Sequence, residues 1–306
     1  MAFTSKDVMA LREKTGVGMM DCKKALQESD GDMDKALDYL REKGLAKQAK
    51  KATRVAAEGM AYAAVDYDKK VGVVVEVNSE TDFAAKSDKF IEFVKEVAQV
   101  IIDQNPADVD ALMAAAVNGQ TMADILRDKV MVIGENLSVR RFVRYEGDCV
   151  AYVHGGGRIG VLVKFEADAA ASGSEALIEC GKDVAMQIAA LNAAYLDEAS
   201  VPADVVAHEK EVQLALIKND PKNANKPDAI LEKMIIGKMN KYFEEVCLLK
   251  QAFVKDGNLT VAQYVEQQAK AAGGEMKLVS FVRYEKGEGI QKREDDFASE
   301  VASMVK

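Results

Sequence analysis

Two histidines, His154 and His208, and four cysteines, Cys22, Cys149, Cys180 and Cys247, are all this 306-residue chain offers of the commonest metal-ligating and nucleophilic side chains. The cysteines are far apart and form no C-x-x-C pair, which argues against a zinc site or a disulfide framework and for reduced, packed thiols. Two histidines give little material for a metal cluster or a His-based triad, so no metal is expected. No run of about 20 apolar residues is present to span a bilayer, and no N-terminal apolar stretch resembles a signal peptide. The expected setting is cytoplasmic, with no membrane partner. A basic excess is missing as well: the net charge is -9, so nucleic acid is not expected as a partner. The basic run Lys47, Lys50, Lys51 and Arg54 reads as a solvated helix end or linker.

Catalytic signatures are missing too. No G-x-x-x-x-G-K-[ST] exists, so no direct nucleotide binding by a phosphate loop is expected. "TGVGMMDCKK" carries its glycines and lysines at the wrong spacing, and "HGGGRIG" reads as a flexible hairpin turn. No G-x-S-x-G elbow is found, and most acids fall on solvated helical faces. The chain reads as an interaction protein, not an enzyme, with no cofactor.

What is present is 49% hydrophobic and 30% charged sequence, enough for a sizeable core in about two or three domains. The start reads as three helices. Thr4 and Asp7 have capping-box spacing, Val8 and Leu11 share a face, and Gly16 is a stop. "MDCKKALQES" turns Cys22, Ala25 and Leu26 inward. "MDKALDYLREKG" places Met33, Ala36, Leu37 and Leu40 on one face, with Asp32 as N-cap and Gly44 as stop. A unit of this size has a thin core and suits docking. Strands follow: "GMAYAAVDY" and "VGVVVEVN" flank the turn "DKK" as a hairpin. Ile91, Val94, Val97, Ala98 and Ile101 then recur at helical spacing, and further helices are expected near 107–116 and 122–132 before the strand "LSVRRFVRYEG".

The hairpin repeats at an offset of 88 residues: Gly59 falls on Gly147, Gly72 on Gly160, and Val71, Val73 and Val75 on Ile159, Val161 and Val163. "FVRYEG" reappears as "FVRYEKG". The fold class is therefore α+β, with a three-helix head and two related subdomains, each a small antiparallel sheet backed by helices. Between Pro202 and Gln251 two charged helices joined by a polar loop form a hairpin, with Val205, Val212, Ala215 and Leu216 facing Ile230, Met234 and Met239. This arm extends a contact surface, stabilises the fold or makes a dimer contact. The expected segments are a head at 1–46, a linker at 47–57, subdomains at 58–140 and 141–285, the hairpin at about 203–248, and a C-terminal module at 286–306 with a short amphipathic helix.

Between the second strand and its helix lies "ETDFAAKSDKF". A ring after a strand is ordinarily core. At the repeat offset, however, Thr81, Asp82 and Phe83 become Ala169, Ala170 and Ala171, so the scaffold does not require a ring there.

Two long stretches carry a resemblance. "LREKTGVGMMDCKKAL" is similar to the N-terminal signature of the elongation factor Ts family, and "EVNSETDFAAKSDKF" to its second signature. "RIGVLV", "DVAMQIAA", "FVRYEKGEGI" and "DDFASEVA" resemble further family blocks in the same order, so the likeness spans essentially the whole chain. The resemblance implies a ubiquitin-associated-like head, two related core subdomains, a coiled-coil hairpin and a C-terminal module. It implies exchange of guanine nucleotide on the translational GTPase elongation factor Tu. Thr81, Asp82 and Phe83 would enter that partner near its magnesium and phosphate elements and speed GDP release. Val17, Gly18, Met19, Met20 and Lys23 of the head would dock on its nucleotide-binding domain. Ile159 and Gly160 would meet another of its domains. Gln187 stands where some relatives have His, and its role in shifting the phosphate-binding loop holds only if the effect is steric or comes from packing. Asp296 and Phe297 would fold against the partner. Self-association in a 2:2 complex is left open. An adaptor without exchange activity and an unrecognised enzyme are the competing readings.

Overall fold

The computed structural model describes residues 3–220, 223 and 226–291. Helix α1 (Ser5–Thr15) begins at Thr4, whose side chain and that of Asp7 form a reciprocal capping box, and ends at left-handed Gly16. Helix α2 (Met19–Glu28) and helix α3 (Met33–Lys51) follow, the latter capped by Asp32, which accepts hydrogen bonds from the N–H groups of Asp34 and Lys35. Val8, Leu11, Val17, Cys22, Ala25, Leu26, Ala36 and Leu40 form the core of this head.

Gly44 does not stop α3. The helix runs on to Lys51, through part of the expected linker. Gly44 is instead a point of close approach: a methyl group there would sit 2.6 Å from Met131 Sδ and 3.3 Å from Arg127 Cδ. The glycine lets the head lie against a helix of the body.

The body opens with the expected hairpin, β1 (Glu58–Asp66) and β2 (Val71–Ser79). A single turn, α4 (Asp82–Ala85), leads into α5 (Asp88–Gln104), then α6 (Val109–Ala114), the small hairpin β3 (Ala116–Val117) and β4 (Gln120–Thr121), helix α7 (Met122–Ile133) and strand β5 (Ser138–Glu146). The antiparallel order is β1-β2-β5. A division at 140/141 cuts through β5, which pairs with β2 from Ser138 to Glu146 and so belongs to the first sheet. Strand β2 is buried at every position, which explains its unbroken apolar run.

The second half repeats this plan with β6 (Asp148–His154), β7 (Ile159–Ala167) and α8 (Glu175–Leu191). The arm is α9 (Ala203–Asn219) and α10 (Asp228–Val246). Strands β8 (Ala252–Phe253) and β9 (Asp256–Thr260), helix α11 (Val261–Ala272) and strand β10 (Met276–Glu285) complete it. Its sheet order is β6-β7-β10. The repeat holds in the register: Val75 pairs with Phe142, and Val163, 88 positions on, pairs with Phe281.

The two sheets meet face to face through Ala63, Val74, Cys149 and Leu162, with Val143, Tyr145, Val282 and Tyr284 around them. The repeated glycines lie at this seam. A methyl on Gly72 would meet Cys149 Cβ at 2.8 Å, and one on Gly160 would meet the Ala61 backbone at 3.0 Å. The "HGGGRIG" turn is anchored here rather than free: the Gly157 carbonyl accepts the Ala61 N–H at 2.8 Å.

The arm is a helical pair whose inner face includes Met239, as expected, with Val205 and Met234 partly buried, but the rest of the expected face differs. Ile217 and Met239 are buried, whereas Leu216 is 60% exposed and Val212 and Ile230 also face outward. The arm's helices lean chiefly on each other, so the covered stripe is narrow and one residue of rotation changes which side chains fill it. The expected tail helix and the docking residues Asp296 and Phe297 lie outside the described residues.

Candidate protein-docking site

Strand β2 delivers the chain from the buried sheet to the surface within three residues of Ser79. Thr81 caps α4, accepting the Ala84 N–H at 3.2 Å, and Ser87 caps α5, accepting the Phe90 N–H at 3.3 Å. The two caps and the short turn between them fix the direction of each side chain. Ala84 and Ala85 face the core, and Phe83 stands on the opposite side, 84% exposed. In the second half the caps fall 87 residues on, with Asp168 accepting the Ala171 N–H and Ser174 the Leu177 N–H, so the buried Ala171 answers to Ala84 and the exposed Ala170 to Phe83. The same outward position therefore carries a ring in one copy and only a methyl in the other.

Leaving a phenyl ring in water forgoes about 1.5–3 kcal/mol of burial. The fold does not compensate by letting the turn collapse; it holds the turn from several sides. Glu135 accepts the Thr81 N–H at 3.0 Å and the Thr81 hydroxyl at 2.6 Å. The Ser79 hydroxyl donates to the Thr81 carbonyl at 3.0 Å. Glu80 accepts the Asn136 N–H at 2.6 Å and pairs with Arg54 at 3.3 Å. Asp82 pairs with Lys86 at 2.6 Å, one helical turn on, and that bond holds its carboxyl below the usual carboxylate range.

Farther down β2, Glu76 is wholly buried and bound to Arg141 at 2.6 Å, Arg140 at 3.1 Å, the Gly287 N–H at 2.8 Å and Asn78 at 3.1 Å. Desolvation pushes its pKa up, and the bonds from Gly287, Asn78 and Arg141 outweigh it, so the group stays a carboxylate. Lys286 pairs with Glu58 beside this hub, so the segment after β10 is fastened to the first sheet.

The other expected contact residues separate into two groups. In the head, Gly18 and Lys23 are exposed, as are Met19 at 46% and Met20 at 74%, whereas Val17 is a core residue. Gly160 is buried at the sheet seam and Ile159 in the core of the second half, so a partner reaching this turn meets the exposed Gly155, Gly156 and Arg158 instead. Gln187 is fully buried. Its amide donates to Gln251 and to the Ala252 carbonyl, and its oxygen accepts the Val254 N–H at 2.9 Å. It fastens β8 to α8, and its side chain presents no surface to a partner.

Sequence reasoning missed Glu76, Glu80, Glu135 and Asn136. A carboxylate inside an otherwise apolar strand was the available signal for Glu76. Glu135 and Asn136 lie more than 50 positions from the residues they hold, and no local pattern announces that pairing.

Among the described residues no helix is long and apolar enough to cross a membrane. Residues 80–288 match the family model described as elongation factor TS. The chain is 49% identical over 306 residues to elongation factor Ts of Clostridioides difficile (strain 630), covering 99% of both chains. It is 47% identical over 312 residues to that of Trichlorobacter lovleyi, covering 100% of this chain and 99% of the relative. It is likewise 47% identical over 305 residues to that of Clostridium perfringens (strain 13), covering 98% of each. The family match begins at Glu80, at the threshold of the outward-facing turn, and the relatives extend the likeness through the head; the chain belongs to the elongation factor Ts family of translation elongation factors.

Proposed function

We propose that this protein is a guanine-nucleotide exchange factor that binds the GTPase elongation factor Tu in the cytoplasm and accelerates its release of GDP. The observation that carries the reading is Phe83, an 84% exposed aromatic side chain on a turn held by its neighbours. An exposed ring on a fixed support is a wedge: it gains its burial only on entering a partner. The affinity of a GTPase for GDP and Mg²⁺ depends on several charge-assisted contacts made together, and a shift of their scaffold by about an ångström weakens all of them. The wedge need not touch the nucleotide. It stabilises the empty GTPase, and by linkage bound nucleotide weakens the factor's hold by the same factor.

The head supplies a second contact through Gly18, Met19, Met20 and Lys23, where flexible thioethers adapt to an apolar surface. Asp82, paired with Lys86, sets the rim of the wedge. The test is stopped-flow release of fluorescent GDP from the GTPase, with the wild type, Asp82→Ala and Phe83→Ala. The reading expects acceleration by the wild type and a loss in both variants, larger for Phe83→Ala. No acceleration by the wild type would refute the exchange function. Full acceleration by both variants would move the wedge elsewhere.

A further inference from the structure

Two segments 54 residues apart exchange carboxylates across the wedge turn. Glu135 reaches over to take the Thr81 N–H at 3.0 Å and its hydroxyl at 2.6 Å. Glu80 reaches back to take the Asn136 N–H at 2.6 Å. Each acid thus satisfies a backbone donor of the other segment, and the Asn136 amide extends the lock by donating to the Arg54 carbonyl at 2.9 Å. Glu135 is half-buried and follows Gly134, the left-handed residue that ends α7. Lys51, at the end of α3, donates to the Gly134 carbonyl. The α3 helix of the head meets α7 again where Gly44 lies against Met131 and Arg127. A continuous path of contacts therefore runs from the head through α7 to Glu135, Thr81 and the turn bearing Phe83.

We infer that Glu135 is a positioning residue for nucleotide exchange: with Glu80 it forms a reciprocal carboxylate clamp that fixes the Phe83 turn to the end of α7 and so ties the wedge to the head. This rests on the proposed exchange function. The physical reason is pre-organisation. A one-turn helix at the surface is marginal by itself. If the turn were loose, the partner's binding energy would be spent on ordering it instead of on moving the GTPase's phosphate elements. Hydrogen bonds to a charged acceptor are among the strong ones. Losing the pair from Glu135 corresponds to about a tenfold or greater shift toward misaligned turns. Docking through the head is left intact, so the loss falls on the maximal release rate and not on the concentration that gives half of it.

The experiment compares full-length wild type, Glu135→Ala, Glu135→Gln and Phe83→Ala in fluorescent-GDP release at a series of factor concentrations. Amide hydrogen exchange of Thr81 and Ala84 in the free protein is followed in parallel. The inference expects the Thr81 amide to be protected in the wild type and to lose protection in both Glu135 variants. It expects the maximal release rate to fall about tenfold in Glu135→Ala and less in Glu135→Gln, which keeps one acceptor oxygen, with half-saturation changed less than about twofold. Combining Glu135→Ala with Thr81→Ala should cost less than the product of the single losses, because both remove one contact. An unprotected Thr81 amide in the wild type overturns the clamp, whether or not the variants fold. So does a Glu135→Gln variant with the wild-type maximal rate, or a loss that lies wholly in half-saturation. A wild type without exchange activity overturns the underlying function instead, and a fully active Phe83→Ala overturns the wedge, while the amide measurement still reads the clamp on its own.

Discussion

Phe83 leaves a ring in water at an outward position that the other half of the molecule fills with the methyl of Ala170. Because so little of the ring is covered, Phe83→Ala leaves no cavity, and its unfolding free energy in urea should stay within about 0.5 kcal/mol of the wild type. A larger loss would make the ring structural. The cysteines are the opposite case: all four are free and buried. Burial pushes the Cys149 thiol up to about 11 and the Cys180 thiol up to about 12, and it raises Cys22 and Cys247 as well. Thiols raised in this way are protonated at about pH 8 and shielded from reagents. An aromatic disulfide reagent should therefore label none rapidly in the native protein and all four after denaturation. Rapid labelling of a native thiol would contradict the packing.

The repeated element is where the sequence was most legible. Strand β7 begins and ends 88 residues after β2, as the matching valines and glycines predicted, and the capping residues Thr4 and Asp32 start the helices they were expected to start. Less legible was what each glycine is for. Gly44 has the look of a helix stop, yet it admits a neighbouring helix, and only the position of α7 reveals that. Leu216 was expected inside the arm and lies outside, with Ile217 buried in its place, for a related reason: periodicity tells which face of a helix is apolar, not which neighbour covers it. At the sheet seam the close approach gives a direct test. Gly72→Ala puts a methyl 2.6 Å from Leu162 Cδ1 and 2.8 Å from Cys149 Cβ, so it should lower stability by about 1–3 kcal/mol in urea unfolding. A neutral or stabilising result would mean that the sheets part without cost.

Over the whole molecule, the segment after β10 returns to the first sheet through Glu76, and the buried carboxylate joins the end of the chain's second half to the strand that leads to the wedge. Its folded pKa lies below the ordinary Glu value of about 4.3. Its contribution is thus present above that value and lost as the pH falls through the folded pKa. Glu76→Gln should cost on the order of 3 kcal/mol at neutral pH and make the acid limb of stability shallower, as read from urea midpoints between about pH 7 and pH 3. An unchanged acid limb would remove Glu76 from the hub. Head, seam and hub together present Met19, Met20 and Phe83 from one connected framework, and this framework gives the exchange reading its physical basis. The most direct measurement of that reading is the maximal rate of GDP release from elongation factor Tu at saturating Phe83→Ala. The account predicts that the variant still binds the GTPase but that the maximal rate falls by about tenfold or more. A variant that releases GDP at the wild-type maximal rate would contradict it.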